Sequence, residues 1–347
     1  MIGSRVGGCE PFERAQARQT AARRGGARQK RPPIKSCLHV SPLPLCRTRG
    51  TLRLSERKNS TVNVGCRHHA RSMTSVVGAG ERFASVGEVE LCYETFGSPS
   101  DPALLLIMGM GFQLVHWPDA FCASLAGHGF FVVRFDNRDA GRSTHVDAPY
   151  GLEDMADDAV GLLDALGVSA AHVAGASLGA MIAQVVAVRH PSRVLSLASL
   201  MSTTGARGVG RTSPRVFLAA LRRSRDAGER RVRMFSVIGS TRFEQDVDWI
   251  RRVSRVAAAR DPQGRAGRRR QHRAVRRAGD RTGSLRAISC PTVVIHGSAD
   301  VMCAPSGGRA TADAIPGARF ELIDGLGHDL PPGAWPRIIE AIVANAR

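Results

Sequence analysis

The chain has 347 residues, 43% of them hydrophobic, and a formal net charge of +19. It contains no run of 18 apolar residues, so we expect no membrane-spanning helix. The four cysteines after residue 73 show no paired spacing, which is typical of a reducing compartment. We therefore expect a cytoplasmic protein with one sizeable core, and the charge requires a separate explanation.

Residues 1–73 form a basic arm. They hold 16 of the 49 Lys and Arg residues but only 3 of the 30 Asp and Glu residues. Without apolar periodicity the arm has no face to bury, and we expect it to be disordered. It could be a nucleic-acid arm, a transit peptide, or translated upstream sequence with Met73 as the true start, which we favour. A chain beginning at Met73 should then keep its melting temperature and activity.

From residue 82 onward, apolar strands alternate with amphipathic helices. An opening hairpin is followed by a fully apolar strand, ALLLI, which is typical of the centre of a parallel sheet. The alternation predicts an α/β fold with a doubly wound, mostly parallel sheet of eight strands. The strands are expected at residues 82–86, 89–96, 103–107, 130–135, 194–200, 292–296 and 319–323, with one more directly before Gly175. Helices are expected at residues 118–128 and 151–166, after Ser177, and at the carboxyl terminus.

The alternation lapses between residues 206 and 287. This segment holds 23 arginines and 7 acidic residues, whereas the rest of the chain after residue 73 holds 10 arginines and 20 acidic residues. Such a compositional break indicates an insertion, in which only helical fragments are visible. Its arginines form either a solvated outer face, which we favour, or a surface that attracts anionic partners.

A G-x-S-x-G sequence, Gly175 to Gly179, stands between an apolar strand and a helix. This context is typical of a nucleophilic serine, Ser177, on a strained corner where larger neighbouring side chains would collide. The bare pattern is weak in a chain with 37 glycines, and an ordinary glycine-rich helix start is the alternative. Whether Ser177 is a nucleophile therefore depends on finding a suitable base and acid elsewhere in the chain.

A serine nucleophile needs a base and an orienting acid, and both belong at the carboxyl ends of later strands. Asp300 follows the strand at 292–296, and His328 follows the strand at 319–323. The chain order Ser, Asp, His is the one expected for this kind of corner. Asp329 and Asp324 are less suitable acids, because the first adjoins the histidine and the second precedes a glycine turn.

The oxyanion of an acyl-transfer intermediate needs preorganised N–H donors. One should be the N–H of Leu178, directly after the serine. The other should come from the glycine-rich loop after ALLLI, and we choose the N–H of Met110. A plain glycine loop with packed methionines is the alternative interpretation.

Five motifs resemble those of the α/β-hydrolase fold family, in the esterase subgroup that includes aclacinomycin methylesterase. They are MGMGFQLVHWPDAF, RFDNRDAGRST, GASLGAMIAQ, VIHGSAD and LIDGLGH. The resemblance implies the same triad and oxyanion donors, and a helical cap formed by the insertion. We accordingly assign residues 74–206 and 287–347 to the core and 207–286 to the cap. Ala180 departs from the family, where many relatives have a second glycine.

The expected function is a serine hydrolase that cleaves small-molecule carboxylic esters through an acyl-enzyme. We expect no cofactor and no metal, because Cys66, His68 and His69 form only half of a metal site. Perhydrolysis, lactone cleavage and aminopeptidase activity stay open for the same apparatus. The rival is an inert hydrolase-fold protein that binds nucleic acid or acidic surfaces. We do not favour nucleic acid, because the basic segments contain few aromatic residues for base stacking.

Overall fold

The computed structural model of the chain describes residues 80–221 and 226–347. The expected basic arm, the start at Met73 and the half metal site at Cys66 lie outside these residues. Within them, eight strands form one sheet in the order β1-β2-β4-β3-β5-β6-β7-β8. The strands are β1 (Arg82–Val86), β2 (Val89–Phe96), β3 (Ala103–Ile107), β4 (Phe131–Phe135), β5 (Ala171–Ala176), β6 (Val194–Leu200), β7 (Thr292–Gly297) and β8 (Arg319–Ile323).

The sheet is antiparallel only at its first edge, where β2 pairs with β1 and β4. From β4 to β8 all neighbouring strands run parallel. All five residues of β3 are buried, as its uniformly apolar sequence predicts for a central strand. The prediction of an eight-stranded, mostly parallel, doubly wound sheet is confirmed. The carboxyl ends of β3, β5, β7 and β8 consequently open on one edge.

Helices cover both faces of the sheet. They are α1 (Asp119–Gly127), α2 (Leu152–Ala165), α3 (Leu178–Arg189), α4 (Pro214–Leu221), α5 (Ala227–Ile238), α6 (Val247–Arg260), α7 (Gly264–Ala278), α8 (Thr282–Leu285), α9 (Ser306–Ala314) and α10 (Trp335–Asn345). Leu105 and Ile107 pack with α2 and α3, while Leu104 and Leu106 pack with α1 and α10. Each helix in the described residues is too short or too polar to cross a membrane.

Five helices, α4 to α8, lie between β6 and β7, and we call them the insertion helices. Helix α7 has no apolar stripe, yet Gly267, Gln271 and Ala274 are buried at helical spacing. A Cβ at Gly267 would lie 2.0 Å from the carbonyl oxygen of Asp139, so only glycine permits this approach. The arginine-rich helix thus packs through small residues and one amide. The assignment of residues 207–286 to a separate cap stays a prediction.

Candidate active site

Ser177 lies at the corner where β5 ends and α3 begins. Its φ is 56° and its ψ is −116°, a conformation that non-glycine residues rarely adopt. A Cβ at Gly175 would lie 2.2 Å from the carbonyl oxygen of Gly179, and one at Gly179 would lie 2.0 Å from that of Ile107. Both glycines are therefore required by the close approach of backbone. The corner holds the serine side chain half-exposed at the edge of the sheet.

Backbone hydrogen bonds on both sides of the corner hold the strained serine. The N–H of Ser177 donates to the carbonyl oxygen of Leu200 at 2.9 Å. Its own carbonyl oxygen accepts from the hydroxyl of Ser202 at 2.8 Å. These bonds tie the corner to the end of β6, and the surrounding fold can thereby maintain an unfavourable φ.

The structure brings His328 to both of its expected partners. Its Nε2 lies 3.1 Å from the Oγ of Ser177, and its Nδ1 lies 2.7 Å from an Oδ of Asp300. A carboxylate can only accept, so Nδ1 carries the proton and Nε2 is left to accept from the serine hydroxyl. The backbone N–H of His328 donates to Ile238 at the end of α5, at 2.7 Å. One insertion helix thus helps to position the imidazole.

Asp300 is fully buried and held from several sides. Its second carboxylate oxygen accepts from the N–H groups of Met302 and Cys303, at 2.9 and 2.8 Å. Burial by itself would raise the pKa of Asp300. The adjacent His328 and the hydrogen bonds from His296 and the Cys303 N–H outweigh it and lower the pKa to about 2. The residue is therefore an anion at any physiological pH.

Neither alternative acid reaches the imidazole. Asp329 accepts from the hydroxyl of Ser240 at 2.6 Å and from its N–H at 3.1 Å. Asp324 accepts from Ser298 and pairs with Arg242 at the surface. These carboxylates join the loop after β8 to its surroundings, and Asp300 is the one beside His328.

The loop after β3 lies against the serine. A Cβ at Gly109 would be 3.3 Å from the Cβ of Ser177. Among the described residues, the N–H groups of Met110 and Leu178 have no hydrogen-bond acceptor. The next N–H, that of Gly111, is occupied by the side-chain oxygen of Gln271 at 2.8 Å. The two N–H groups expected from the sequence are thus free to donate to an oxyanion near the nucleophile.

The loop after β4, which belongs to the motif RFDNRDAGR, is hydrogen-bonded to the segment that follows β3. Its buried Asp136 accepts from the N–H of Leu114 at 2.6 Å and from the guanidinium of Arg260 at 2.8 Å. Asn137 donates to the carbonyl oxygen of Met108 at 3.0 Å. No local pattern in the sequence indicates a role for these residues, although the motif that contains them contributes to the family resemblance.

No three His, Cys, Asp or Glu side chains of residues 80–221 and 226–347 are grouped so that they could hold a metal ion. The four cysteines in these residues are free thiols. The expectations of a metal-free enzyme and of a cytoplasmic location stay predictions.

The comparisons with known proteins agree on one family. The sequence profile of the α/β hydrolase fold matches residues 102–331. The chain is 34% identical to rhodomycin D methylesterase DauP of Streptomyces sp. (strain C5) over 296 residues, which are 77% of this chain and 98% of that protein. It is 32% identical to rhodomycin D methylesterase DnrP of Streptomyces peucetius, with the same coverage.

The fold agrees with solved structures as well. The enol-lactonase from Burkholderia xenovorans LB400 superposes with a TM-score of 0.61 at 24% sequence identity, covering 76% of this chain and 99% of that chain. At this identity the likeness concerns the fold alone. Taken with the profile match and the methylesterase relatives, it shows that the chain belongs to the α/β-hydrolase fold family.

Proposed function

We propose that the protein hydrolyses carboxylic esters with Ser177 as nucleophile, His328 as general base and Asp300 as the acid that orients the imidazole. The observation that carries the proposal is the continuous hydrogen-bond chain from Asp300 through His328 to a serine held at positive φ. The methylesterase relatives support ester hydrolysis as the activity of this family member.

In the first half-reaction, Ser177 Oγ attacks the ester carbonyl carbon while its proton passes to His328 Nε2. The carbonyl oxygen becomes an oxyanion, to which the N–H groups of Met110 and Leu178 donate hydrogen bonds. The C–O bond to the alkoxy group then breaks, and His328 returns the proton to the leaving alcohol. The products are an alcohol and an acyl-enzyme on Ser177.

In the second half-reaction, a water molecule gives a proton to His328 and attacks the acyl carbon. The second oxyanion collapses, the bond from Ser177 Oγ breaks, and His328 returns the proton to the serine. Throughout, the ionised Asp300 stabilises the positive imidazolium. Since its pKa is low, this contribution is present over the whole neutral range.

The substrate class that the relatives favour is a small-molecule methyl ester, because both methylesterases align over nearly their whole length. Lactone, amide and peracid chemistry would use the same nucleophile. A panel of methyl esters, lactones and aminoacyl amides distinguishes them, and we expect the methyl esters to be turned over fastest.

The decisive variant is Ser177→Ala. It should lower turnover of methyl esters by about a million-fold, because the acyl bond of the proposed mechanism forms on the Ser177 Oγ. A fluorophosphonate probe should label the parent protein and leave the variant unlabelled, as measured by intact mass. The exposed serine of α5 supplies the control, Ser236→Ala, which should keep both activity and labelling. Equal labelling of the parent and Ser177→Ala would refute the assignment.

A further inference from the structure

One face of α5 contacts the loop that follows Met110, the proposed oxyanion donor. Arg231, Phe235 and Ile238 are spaced four and three residues apart and therefore share this face. The carbonyl oxygen of Ile238 accepts from the His328 N–H. The guanidinium of Arg231 lies 4.1 Å from the ring centroid of Phe112, which Phe235 contacts edge-on. This face thus runs from the catalytic imidazole to an arginine about 10 Å along the helix.

Arg231 has no hydrogen-bond acceptor and no carboxylate partner within residues 80–221 and 226–347. Burial, followed by the positive charges of Arg268 and Arg230, lowers the pKa of Arg231 to about 10. The side chain of Arg268 packs against Gly111, beside the same loop. A half-buried guanidinium among like charges is unfavourable until an anion neutralises it.

His116, which also packs against the Phe112 ring, is a second donor without an acceptor among the described residues. The Nδ1 of His116 lies 3.0 Å from the backbone N of Gln113 and 3.2 Å from its carbonyl oxygen. The backbone N–H can only donate, so Nδ1 accepts from it and the proton of the neutral ring belongs on Nε2. That Nε2 is buried and has no partner among the described residues. Burial and the nearby Arg231 lower the pKa of His116 to about 3, and the ring is neutral at physiological pH. His116 packs edge-on against Phe112, with ring centroids 4.5 Å apart.

We propose that Phe112, His116, Arg231 and Arg268 form a pocket for a carboxylate of the ester substrate. The enzyme would then prefer half-esters of dicarboxylic acids to the corresponding neutral diesters. This inference rests on the proposed function, since the reacting ester group must lie at Ser177 while the carboxylate lies at Arg231.

The chemistry of the pocket fits a carboxylate. An arginine presents paired donors that match two carboxylate oxygens, and the Nε2–H of His116 can donate to one of them. The Phe112 ring, which His116 contacts edge-on and over which the guanidinium of Arg231 lies, keeps these two donors close together. Arg231 lies about 10 Å along α5 from Ile238, which contacts His328. The substrate must therefore have a spacer between its carboxylate and its ester group.

The test compares monomethyl and dimethyl esters of linear dicarboxylic acids of increasing chain length. The parent protein should have a higher kcat/KM for the monomethyl ester at one preferred length. Arg231→Gln should lower kcat/KM for that half-ester about 100-fold, the effect of losing a hydrogen bond to a charged group, and leave the dimethyl ester nearly unchanged. Arg252→Gln, at an exposed arginine of α6, removes the same charge and should change neither value.

Two kinetic results would overturn the inference. One is an equal kcat/KM for half-esters and diesters in the parent protein, and the other is an equal loss for both in Arg231→Gln. Turnover of the neutral diester reports on the folding of the variant in the same assay.

Binding separates this inference from the proposed function. The free dicarboxylate of the preferred length, or of each length if no ester is hydrolysed, is titrated calorimetrically into the parent and into Arg231→Gln. Binding that the variant loses supports the pocket even if no ester is turned over, in which case only the proposed function fails. Equal binding to both proteins, or binding to neither, refutes the pocket.

Discussion

His296 is a second histidine beside the proposed triad acid, and no sequence pattern predicts this position for it. Its Nε2 lies 2.8 Å from the carbonyl oxygen of Cys303 and 3.4 Å from the Asp300 carboxylate. The ring is fully buried, and a Cβ at Gly308 of α9 would lie 2.4 Å from its Nδ1. The glycine therefore makes room for a ring that holds the acid in place.

We predict that His296→Asn lowers kcat about tenfold with little change in KM. The reason is that a hydrogen bond to a charged carboxylate is worth about 1.5–3 kcal/mol, of which only part affects the transition state. The measurement is a double-mutant cycle with Asp300→Asn. If His296 acts through Asp300, its effect should vanish in the Asp300→Asn background. Additive effects would show instead that His296 has a purely structural role.

At the scale of elements, α7 shows how an arginine-rich helix can serve the site. Gln271 is fully buried, accepts from the Gly111 N–H and donates to the carbonyl oxygen of Arg138 at 2.9 Å. It thereby fixes the loop that carries the Met110 N–H. The bidentate pair of Arg270 with the buried Asp139 anchors the same helix to the loop after β4.

Replacing the side-chain amide of Gln271 should disturb the loop that carries Met110 and Gly111. Gln271→Leu keeps the volume but leaves two part-buried backbone groups without their present partner, so the free energy of unfolding should fall by about 1–3 kcal/mol. A shift of the loop should also lower kcat by about 10- to 100-fold. Urea unfolding and methyl ester turnover measure the two effects. The control is Gln263→Leu, at an exposed glutamine before α7, which should alter neither. An unchanged kcat in Gln271→Leu would mean that the loop holds its position without α7.

At the scale of the whole molecule, the segregation of charge along the sequence has a structural counterpart. The basic insertion faces an acidic core, and several of its arginines pair with core carboxylates. These pairs are Arg242 with Asp324, Arg260 with Asp136 and Glu81, and Arg270 with Asp139. A solvated outer face, the interpretation favoured from the sequence, therefore describes only some of the insertion arginines.

The buried His116 should make the whole fold sensitive to acid. Its pKa is lowered to about 3, so between about pH 6.5 and pH 3 the unfolded chain binds a proton that the folded chain does not. The free energy of unfolding should therefore fall as the pH falls through this window, by up to about 1.4 kcal/mol per pH unit from this group. Urea unfolding at a series of pH values measures the slope.

The variant His116→Asn should remove this part of the slope, because it does not titrate and its side-chain carbonyl can still accept from the Gln113 N–H. His128→Asn, at an exposed helix end, is the matched control and should keep the slope of the parent. The same slope in His116→Asn and in the parent would show that other groups govern the acid transition.

Much of the scaffold and the positions of the proposed triad could be predicted from the sequence, because those signals are local. Apolar runs indicated the strands, two glycines marked the corner at Ser177, and chain order placed Asp300 and His328 after later strands. Parallel strands display their carboxyl ends at one edge, so three separate positions in the sequence had to converge.

Other features depend on contacts between elements that are far apart in the chain. Helix α7 packs through Gly267 and Gln271, which no hydrophobic period reveals. The contacts of Gln271 with Gly111 and of His296 with Gly308 join elements whose residues have no distinguishing pattern of their own. Arg231 is one of 23 arginines in its segment, and its position beside Phe112 depends on how α5 crosses a loop more than a hundred residues earlier in the chain. The sheet and the order of the proposed reacting groups follow from the sequence alone, because periodicity and strand ends are properties of short stretches. Packing between distant elements selected the side chains that support and surround those groups, because such contacts depend on the whole fold.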